Sequence, residues 1–327
     1  MVSARITADG IEKELESHRR ELTAYCYRML GSGFEAEDAV QEVLVRAWRG
    51  IDAFEGRSRL RSWLYRIATN VCLDMVRGPQ RRALPMEMGP SSDANGTLGA
   101  RLTESTWVLP VHDERVLATD GDPAELAAVR ESVRLAFVAA LQHLPARQRA
   151  VLILREVLRW QASEVAELLD TTVASVNSAL QRARATLADL DLATSPPTVD
   201  DDEQQELLAR YVQAFEAYDV EALVSLLKHD VTFTMPPWPL WLHDRHEVGR
   251  WFLGQGIGCK GSRLVPTAAN GQPALASYKP AGPGVWEPWS VQVLETSGGE
   301  IAAIHNFLAF LDVELFAGFG LPRRLES

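Results

Sequence analysis

The sequence predicts a multidomain protein in which two all-α domains precede a separate α+β domain. Three observations carry this. Apolar residues recur at three- and four-residue spacing through most of the first 190 positions, and stretches rich in Pro, Gly, Ser and Asp interrupt that rhythm twice. Beyond about residue 230, short extended segments separated by Asn-Gly and Gly-Gly take over. At 327 residues the chain is also long for a single hydrophobic core.

The first domain is assigned to residues 10–82. Ile11, Leu15, Leu22, Tyr25, Cys26 and Met29 fall on one face of a helix that Gly31 and Gly33 end. A second helix, from about Glu35 to Arg49, carries Ala36, Val40, Val43, Leu44, Ala47 and Trp48, and Gly56 lies in the loop after it. A third carries Leu60, Trp63, Leu64, Ile67, Ala68, Val71 and Met75 and stops before Gly78-Pro79. Residues 83–123 lose the periodicity and read as a flexible linker, a tether between domains that dock on a common partner. A second helical domain follows at 124–192. Ser195-Pro196-Pro197 and the run Asp200-Asp201-Asp202-Glu203 mark an acidic linker, 193–203. Residues 204–327 then read as α+β, with helices near Glu203–Tyr218 and Val220–Leu227 and a strand at Val231–Met235. Hairpins turn at Asn270-Gly271 and Gly298-Gly299, giving a curved antiparallel sheet with helices on one face.

Composition excludes several classes. Apolar residues make up 46% and charged residues 24%, ordinary for a globular protein, and no run of eighteen apolar residues is present to cross a bilayer. The first residues hold no apolar export segment with a cleavage site, so a cytoplasmic location and no membrane partner are expected. Cys26, Cys72 and Cys259 lie far apart, without CxxC or His at zinc spacing; they read as buried thiols, with no metal and no cofactor. The net charge of -11 divides into -8 over residues 200–327 and -3 over residues 1–199, so local clusters must decide whether the chain meets nucleic acid.

Two clusters do. Leu144-Pro145 opens a helix, and two further helices, Ser163–Leu169 and Val173–Leu187, are joined by Asp170-Thr171-Thr172, with Thr172 placed to cap the last. That helix is expected to bury Val173, Val176 and Leu180 and to present Ser175, Asn177, Ser178, Gln181, Arg182 and Arg184, groups that suit base edges and phosphates. Upstream, nine Arg between Arg46 and Arg82 face only Asp52, Glu55 and Asp74 and are interleaved with Phe54, Trp63 and Tyr65. Cations with aromatics hold a phosphate backbone and stack on unpaired bases. The alternatives are a hairpin of helices packed for structure alone, and a Trp63 that is simply core.

These residues resemble the extracytoplasmic-function (ECF) sigma factors of bacterial RNA polymerase. Glu37-Asp38-Ala39-Val40-Gln41-Glu42 with Ala47-Trp48, then Arg61-Ser62-Trp63-Leu64-Tyr65-Arg66-Ile67-Ala68-Thr69-Asn70, is similar to sigma region 2. Leu144-Pro145 to Leu187, with Glu164-Val165-Ala166 and Gln181-Arg182-Ala183-Arg184, is similar to region 4. The resemblance implies a transcription initiation factor, not an enzyme, whose partners are core RNA polymerase (β′ clamp and β flap) and promoter DNA. It implies that Asp38, Gln41 and Glu42 dock on the β′ clamp, and that Phe54 to Leu60 accepts a flipped base. Phe54, Arg59, Arg61, Trp63, Arg66 and Asn70 would then serve the minus-10 element and melting, and Ser175, Asn177, Ser178, Gln181, Arg182 and Arg184 the minus-35 element. Asn177 and Ala179 stand where family members often carry Lys or Arg, which leaves the minus-35 sequence open.

Residues 204–327 resemble the SnoaL-like branch of the NTF2-like fold. With Asn270-Gly271-Gln272-Pro273-Ala274 and Gly318-Phe319-Gly320-Leu321-Pro322, the chain is similar to the SigG-like ECF subgroup with a fused C-terminal domain. Such a cone commonly encloses an apolar pocket, for which Phe233, Trp238, Trp241, Trp251, Trp289 and His305 are the candidate lining, with a small molecule as ligand; the alternative is that the aromatics are core. His305 and Asp230 are a candidate acid and base. The leading reading is a sigma factor whose C-terminal domain modulates it. A SnoaL-type enzyme with a DNA-binding segment and a ligand-gated DNA-binding regulator are the alternatives.

Overall fold

A computed structural model of the chain describes residues 8–51, 54, 59–76, 81–118, 120–190, 201–309 and 314–327. Two compact units result: Met1–Arg81 with Asp113–Leu192, and Arg82–His112 with Ala193–Ser327. Gly56, Gly78-Pro79, most of the Phe54–Leu60 loop and most of the acidic linker lie outside the described residues. No described helix is long and apolar enough to cross a membrane.

The first unit is helical. The expected first helix is two, α1 (Ala8–Ser17) and α2 (Arg19–Leu30), separated at His18, which periodicity cannot reveal because the apolar face runs on across the break. Gly31 closes α2 in the left-handed conformation, φ 74°, where a side chain would be strained. Ser32 caps α3 (Gly33–Gly50) by accepting the Glu35 amide. α4 (Leu60–Met75) completes the group. Along α2 the burial extends to polar groups. Arg28 is buried and donates to the Ser132 carbonyl and hydroxyl at 2.6–3.2 Å.

The helices from residue 113 onward belong to this same unit: α5 (Asp113–Val116), α6 (Pro123–Glu131), α7 (Leu135–Gln142), α8 (Ala146–Leu152), α9 (Ala162–Leu168) and α10 (Val173–Ala188). Arg149 of α8 is the counterpart of Arg28. Its guanidinium is buried and donates to the carbonyls of Met29, Gln142 and Leu144 and to the Gln142 side chain. Burial pulls both guanidinium groups down to about 10, and two acceptors at Arg28 and four at Arg149 offset part of the loss of water.

The second unit is α+β. Its sheet runs β2 (Trp241–His243), β1 (Leu227–Thr234), β6 (Glu300–Leu308), β5 (Val285–Ser297), β4 (Gln272–Gly282), β3 (Arg263–Ala269), with β7 (Leu325–Glu326) beside β5. All pairs are antiparallel except β1 with β6, a departure from the wholly antiparallel sheet expected, since β1 and β6 are far apart in sequence and no hairpin joins them. Both hairpins fall where the turn residues put them. Asn270 and Gly271 adopt φ 59° and 69°, the two positive values that a tight β3–β4 turn requires. α11 (Asp201–Ala217), α12 (Val220–Ser225) and α13 (Arg245–Leu253) supply Tyr211, Phe215, Leu223, Trp251 and Phe252 to a core shared with Phe233, Leu275, Leu294 and Ile304 of the sheet. α14 (Leu315–Gly318) lies near the C-terminus.

Residues 82–112 differ from the flexible linker expected at 83–123. They have little helix or strand of their own, which is why the periodicity fails, yet many of their backbone amides are hydrogen-bonded. Arg82 donates to the carbonyls of Glu104 and Trp107, and Ala83 exchanges hydrogen bonds with Thr106 and Val108, closing a loop. Val111 and Asn270 pair through two 3.1 Å bonds. Residues 113–123 hold α5 and the start of α6, capped by Asp122.

Candidate functional site

On α3 the alternation of burial is helical. Ala36, Ala39, Val40, Val43 and Ala47 are buried, while Asp38, Gln41, Glu42, Val45, Arg46, Trp48 and Arg49 are exposed. Trp48 and Val45 leave 46% and 42% of their surfaces in solvent, large for apolar side chains. The exposed face is therefore acidic at its N-terminal end and apolar and cationic further on. Glu42 accepts from Arg46 at 2.7 Å. The structure thus brings Asp38, Gln41 and Glu42 to one surface, next to a patch of Val45 and Trp48, although periodicity places Trp48 on the apolar face.

On α4 the six predicted residues divide. Arg59 is the N-terminal flanking residue and exposed, and Asn70 is exposed. Phe54 and Trp63 stack with ring centres 5.0 Å apart, and Trp63 covers Gly50, where a Cβ would come within 3.2 Å of the indole. Arg61 donates to Glu21 at 2.8 Å and lies over the rings of Tyr65 and Trp160. Arg66 reaches the Glu167 carbonyl and carboxylate at 3.4 and 3.6 Å. Trp160 and Glu167 were not among the predicted residues. No local signal exposes them, because they meet α4 from a hundred positions away.

The two helices α9 and α10 are joined by a turn in which Asp170 adopts φ 49°, and Thr172 accepts the Ser175 amide as the cap expected. Val176, Leu180 and Ala183 are buried. Val173 is not, with 43% exposed, since it opens the helix before its packed face begins. Ser175, Asn177, Ser178, Gln181, Arg182 and Arg184 are all exposed. Ser175, Ser178 and Arg182 form one strip and Asn177, Gln181 and Arg184 the next. Arg182 donates to Ser178 at 2.6 Å, and Arg184 to Glu156 at 2.6 Å.

In the second unit four of the six candidate pocket residues meet in one core and two do not. Phe233 and Trp251 pack at 5.0 Å inside the core, with Phe252 against both. Trp238 and Trp289 pack on its margin, and the Lys279 ammonium sits 3.3 Å from the Trp289 ring centre. Trp241 donates to the Gly89 carbonyl. His305 alternates with Ile304 and so faces the other side of the sheet, where it meets Thr234 at 3.0 Å and Glu295 at 3.4 Å. Asp230 pairs with Lys228 instead. Phe233, Trp251, Trp238 and Trp289 thus share one packed core, Trp241 and His305 stand outside it, and the His305–Asp230 pair does not form among the described contacts.

The sigma-70 region 2 family model matches residues 15–82, and the sigma-70 region 4 model residues 134–187. The ECF RNA polymerase sigma factor SigG of Mycobacterium tuberculosis H37Rv is 46% identical over 318 residues, covering 95% of this chain and 83% of that protein. The chain belongs to the ECF sigma factor family. SigJ of the same organism is 31% identical over 283 residues, covering 83% of this chain and 82% of that one. The crystal structure of SigJ superposes with a TM-score of 0.58 at 24% identity, over 95% of this chain and 99% of that chain, a likeness of fold. SigW of Bacillus subtilis is 28% identical over 179 residues, 55% of this chain and 87% of SigW, which fits a relative lacking the counterpart of the second unit. In the sigma factor, α3 and α4 therefore belong to region 2, α9 and α10 to region 4, and the Arg61–Trp160 and Arg66–Glu167 contacts join the two regions.

Proposed function

We propose that this sigma factor docks on the β′ clamp of core RNA polymerase through the α3 face of Asp38, Gln41 and Glu42, and on the β flap through region 4. The exposed acids suit a basic partner, and Val45 and Trp48 beside them supply apolar area for a buried centre. Region 4 lays α10 in the major groove of the minus-35 element. Phe54, Arg59, Arg61, Trp63, Arg66 and Asn70 hold the melted minus-10 strand, with the Phe54–Trp63 stack as the platform for an unpaired base. Capturing that base offsets an unstacking cost of about a few kcal/mol, so that opening needs no nucleotide hydrolysis. The fused C-terminal unit modulates these steps.

The observation that carries this reading is α10. All six polar residues stand in solvent, while Val176, Leu180 and Ala183 fasten the helix behind them. The enzyme alternative loses its support, because His305 and Asp230 lie apart. The test is run-off transcription with core polymerase, comparing the chain with Asp38→Arg. Initiation that depends on the chain and weakens with the variant, together with weaker core binding, is expected. A chain that neither binds core nor initiates would sink the reading, and unchanged affinity of Asp38→Arg would remove α3 from the clamp.

A further inference from the structure

The second unit holds an irregular stretch of its own chain in the manner of a bound peptide, with a turn at its centre in which the Gly96 amide donates to the Asp93 carbonyl at 2.9 Å. Between Gly89 and Leu102 the recognition is mostly of backbone. The Ser92 amide donates to the Trp241 carbonyl at 2.7 Å, and the Leu102 amide to the Pro237 carbonyl at 2.9 Å. Trp241 Nε1 donates to the Gly89 carbonyl at 2.9 Å. Two side chains clasp the centre. Glu247 accepts the Ala94 amide at 2.9 Å, and the Gln255 side-chain amide donates to the carbonyls of Ala94 and Gly96 at 2.9 and 2.7 Å.

Two apolar seats accompany these bonds. Ala94 is fully buried in the same core as Phe233, Trp251 and Phe252, and Leu98 packs against that core. Arg101 lies over the Trp238 ring at 5.1 Å. The aromatic residues that would suit a small-molecule pocket thus meet each other and this segment.

We propose that the C-terminal unit is a receptor for a peptide that turns about a small residue at its centre, and that its ligand is the chain's own segment 89–102. The inference rests on the reading of the fused unit as a modulator of the sigma factor. Held, the segment contributes almost nothing to the reach between region 2 and region 4. Released, its fourteen residues add up to about 50 Å of extended chain once the pairing of Ala83 with Thr106 and Val108, which closes a loop around the segment, opens with it. The clasp and the closure at Ala83 therefore together set how far the two regions separate when they engage one partner. Because receptor and ligand share a chain, the effective concentration is high, and only a competing hold on the segment or on Glu247 and Gln255 opens it.

The experiment is hydrogen exchange on the full chain, alongside run-off transcription with core polymerase. In the wild type the amides of Ser92, Ala94 and Leu102 exchange as slowly as those of β4 and β5. The double variant Glu247→Ala with Gln255→Ala, and separately Ala94→Trp, which does not fit its seat, should speed exchange at these three amides at least ten-fold and leave β4 and β5 protected. Both should change run-off yield in the same direction by several-fold. Wild-type rates at all three amides in the double variant would overturn the clasp. Faster exchange with unaltered transcription and core binding would overturn its role in regulation. A wild-type chain that fails to initiate refutes the sigma reading and with it the reach argument, while exchange alone still decides whether the peptide contact exists.

Discussion

The guanidinium of Arg61 lies 5.7 Å from the centre of the Trp160 ring and 5.3 Å from that of Tyr65. A region 2 cation expected to meet promoter DNA is thereby held against a region 4 aromatic, and Arg66 is tied to Glu167 nearby. DNA must displace these contacts to use the two arginines. A cation over an aromatic ring contributes about 0.5–1 kcal/mol at an accessible site. Trp160→Leu should therefore raise the affinity of the free chain for a single-stranded minus-10 oligonucleotide about two- to five-fold, read by fluorescence anisotropy. Equal or lower affinity would show that Trp160 does not restrain Arg61.

Trp63 stands on Gly50 and against Phe54, with no partner in region 4 among the contacts described. Trp63→Ala should retain core binding and lose promoter opening, followed by permanganate reactivity of the minus-10 thymines. Intact opening would return Trp63 to a packing role.

The two arginines of α10 should not be equivalent. Arg182 is bonded only to the Ser178 hydroxyl among its described partners, whereas Arg184 is already paired with Glu156. Arg182→Ala should weaken minus-35 binding and lower the slope of log affinity against log salt by about 1, with a smaller change for Arg184→Ala. The reverse order would place Asn177 and Arg184 on the groove side of the helix.

Arg149 ties α8 to α2 through the Met29 carbonyl and closes on Gln142 and Leu144. Arg149→Ala leaves those acceptors buried without their donor, at a cost of about 2–4 kcal/mol to the helical unit. Urea denaturation measures it, and a loss below about 0.5 kcal/mol would mean that water replaces the guanidinium.

Asp244 caps α13 by accepting the His246 amide, and that bond, with His229, His246 and His243 nearby, holds its carboxyl below the usual value of 3.8. The folded form favours the ionised group. Its contribution is therefore complete above the unfolded value and is lost as pH falls through the lower folded one. Asp244→Asn should lower the melting temperature at pH 7 and differ less from wild type at pH 3. An equal difference at both would assign the effect to shape rather than charge.

Much of the architecture is written in local signals. Gly31, Asn270-Gly271 and Gly298-Gly299 act through their own backbone preferences and Thr172 through its hydroxyl, so the helix ends and hairpins could be read from them directly. The same holds for the exposed face of α10, because a 3.6-residue period decides which side chains share it. Val173 escaped since periodicity places a residue on a face without saying where packing starts. The break at His18 escaped for a related reason, as both sides of it carry the same apolar stripe.

By itself, then, the sequence determined the two helical regions, the turn chemistry of the α+β unit and the polar surface of α10, all of which follow from spacing within one element, whereas Trp48, placed by spacing on the apolar face of α3, is exposed. Only the tertiary structure decided what depends on residues far apart. Arg28 with Ser132, Arg149 with Met29, and Arg61 with Trp160 join positions about a hundred residues distant. The irregular segment 89–102 is ordered by hydrogen bonds to Glu247, Gln255 and Trp241, and His305 faces away from the aromatic core because of strand register. Such partners are chosen by how elements pack, and a run of polar, Pro- and Gly-rich residues carries no mark of the surface that will satisfy its backbone.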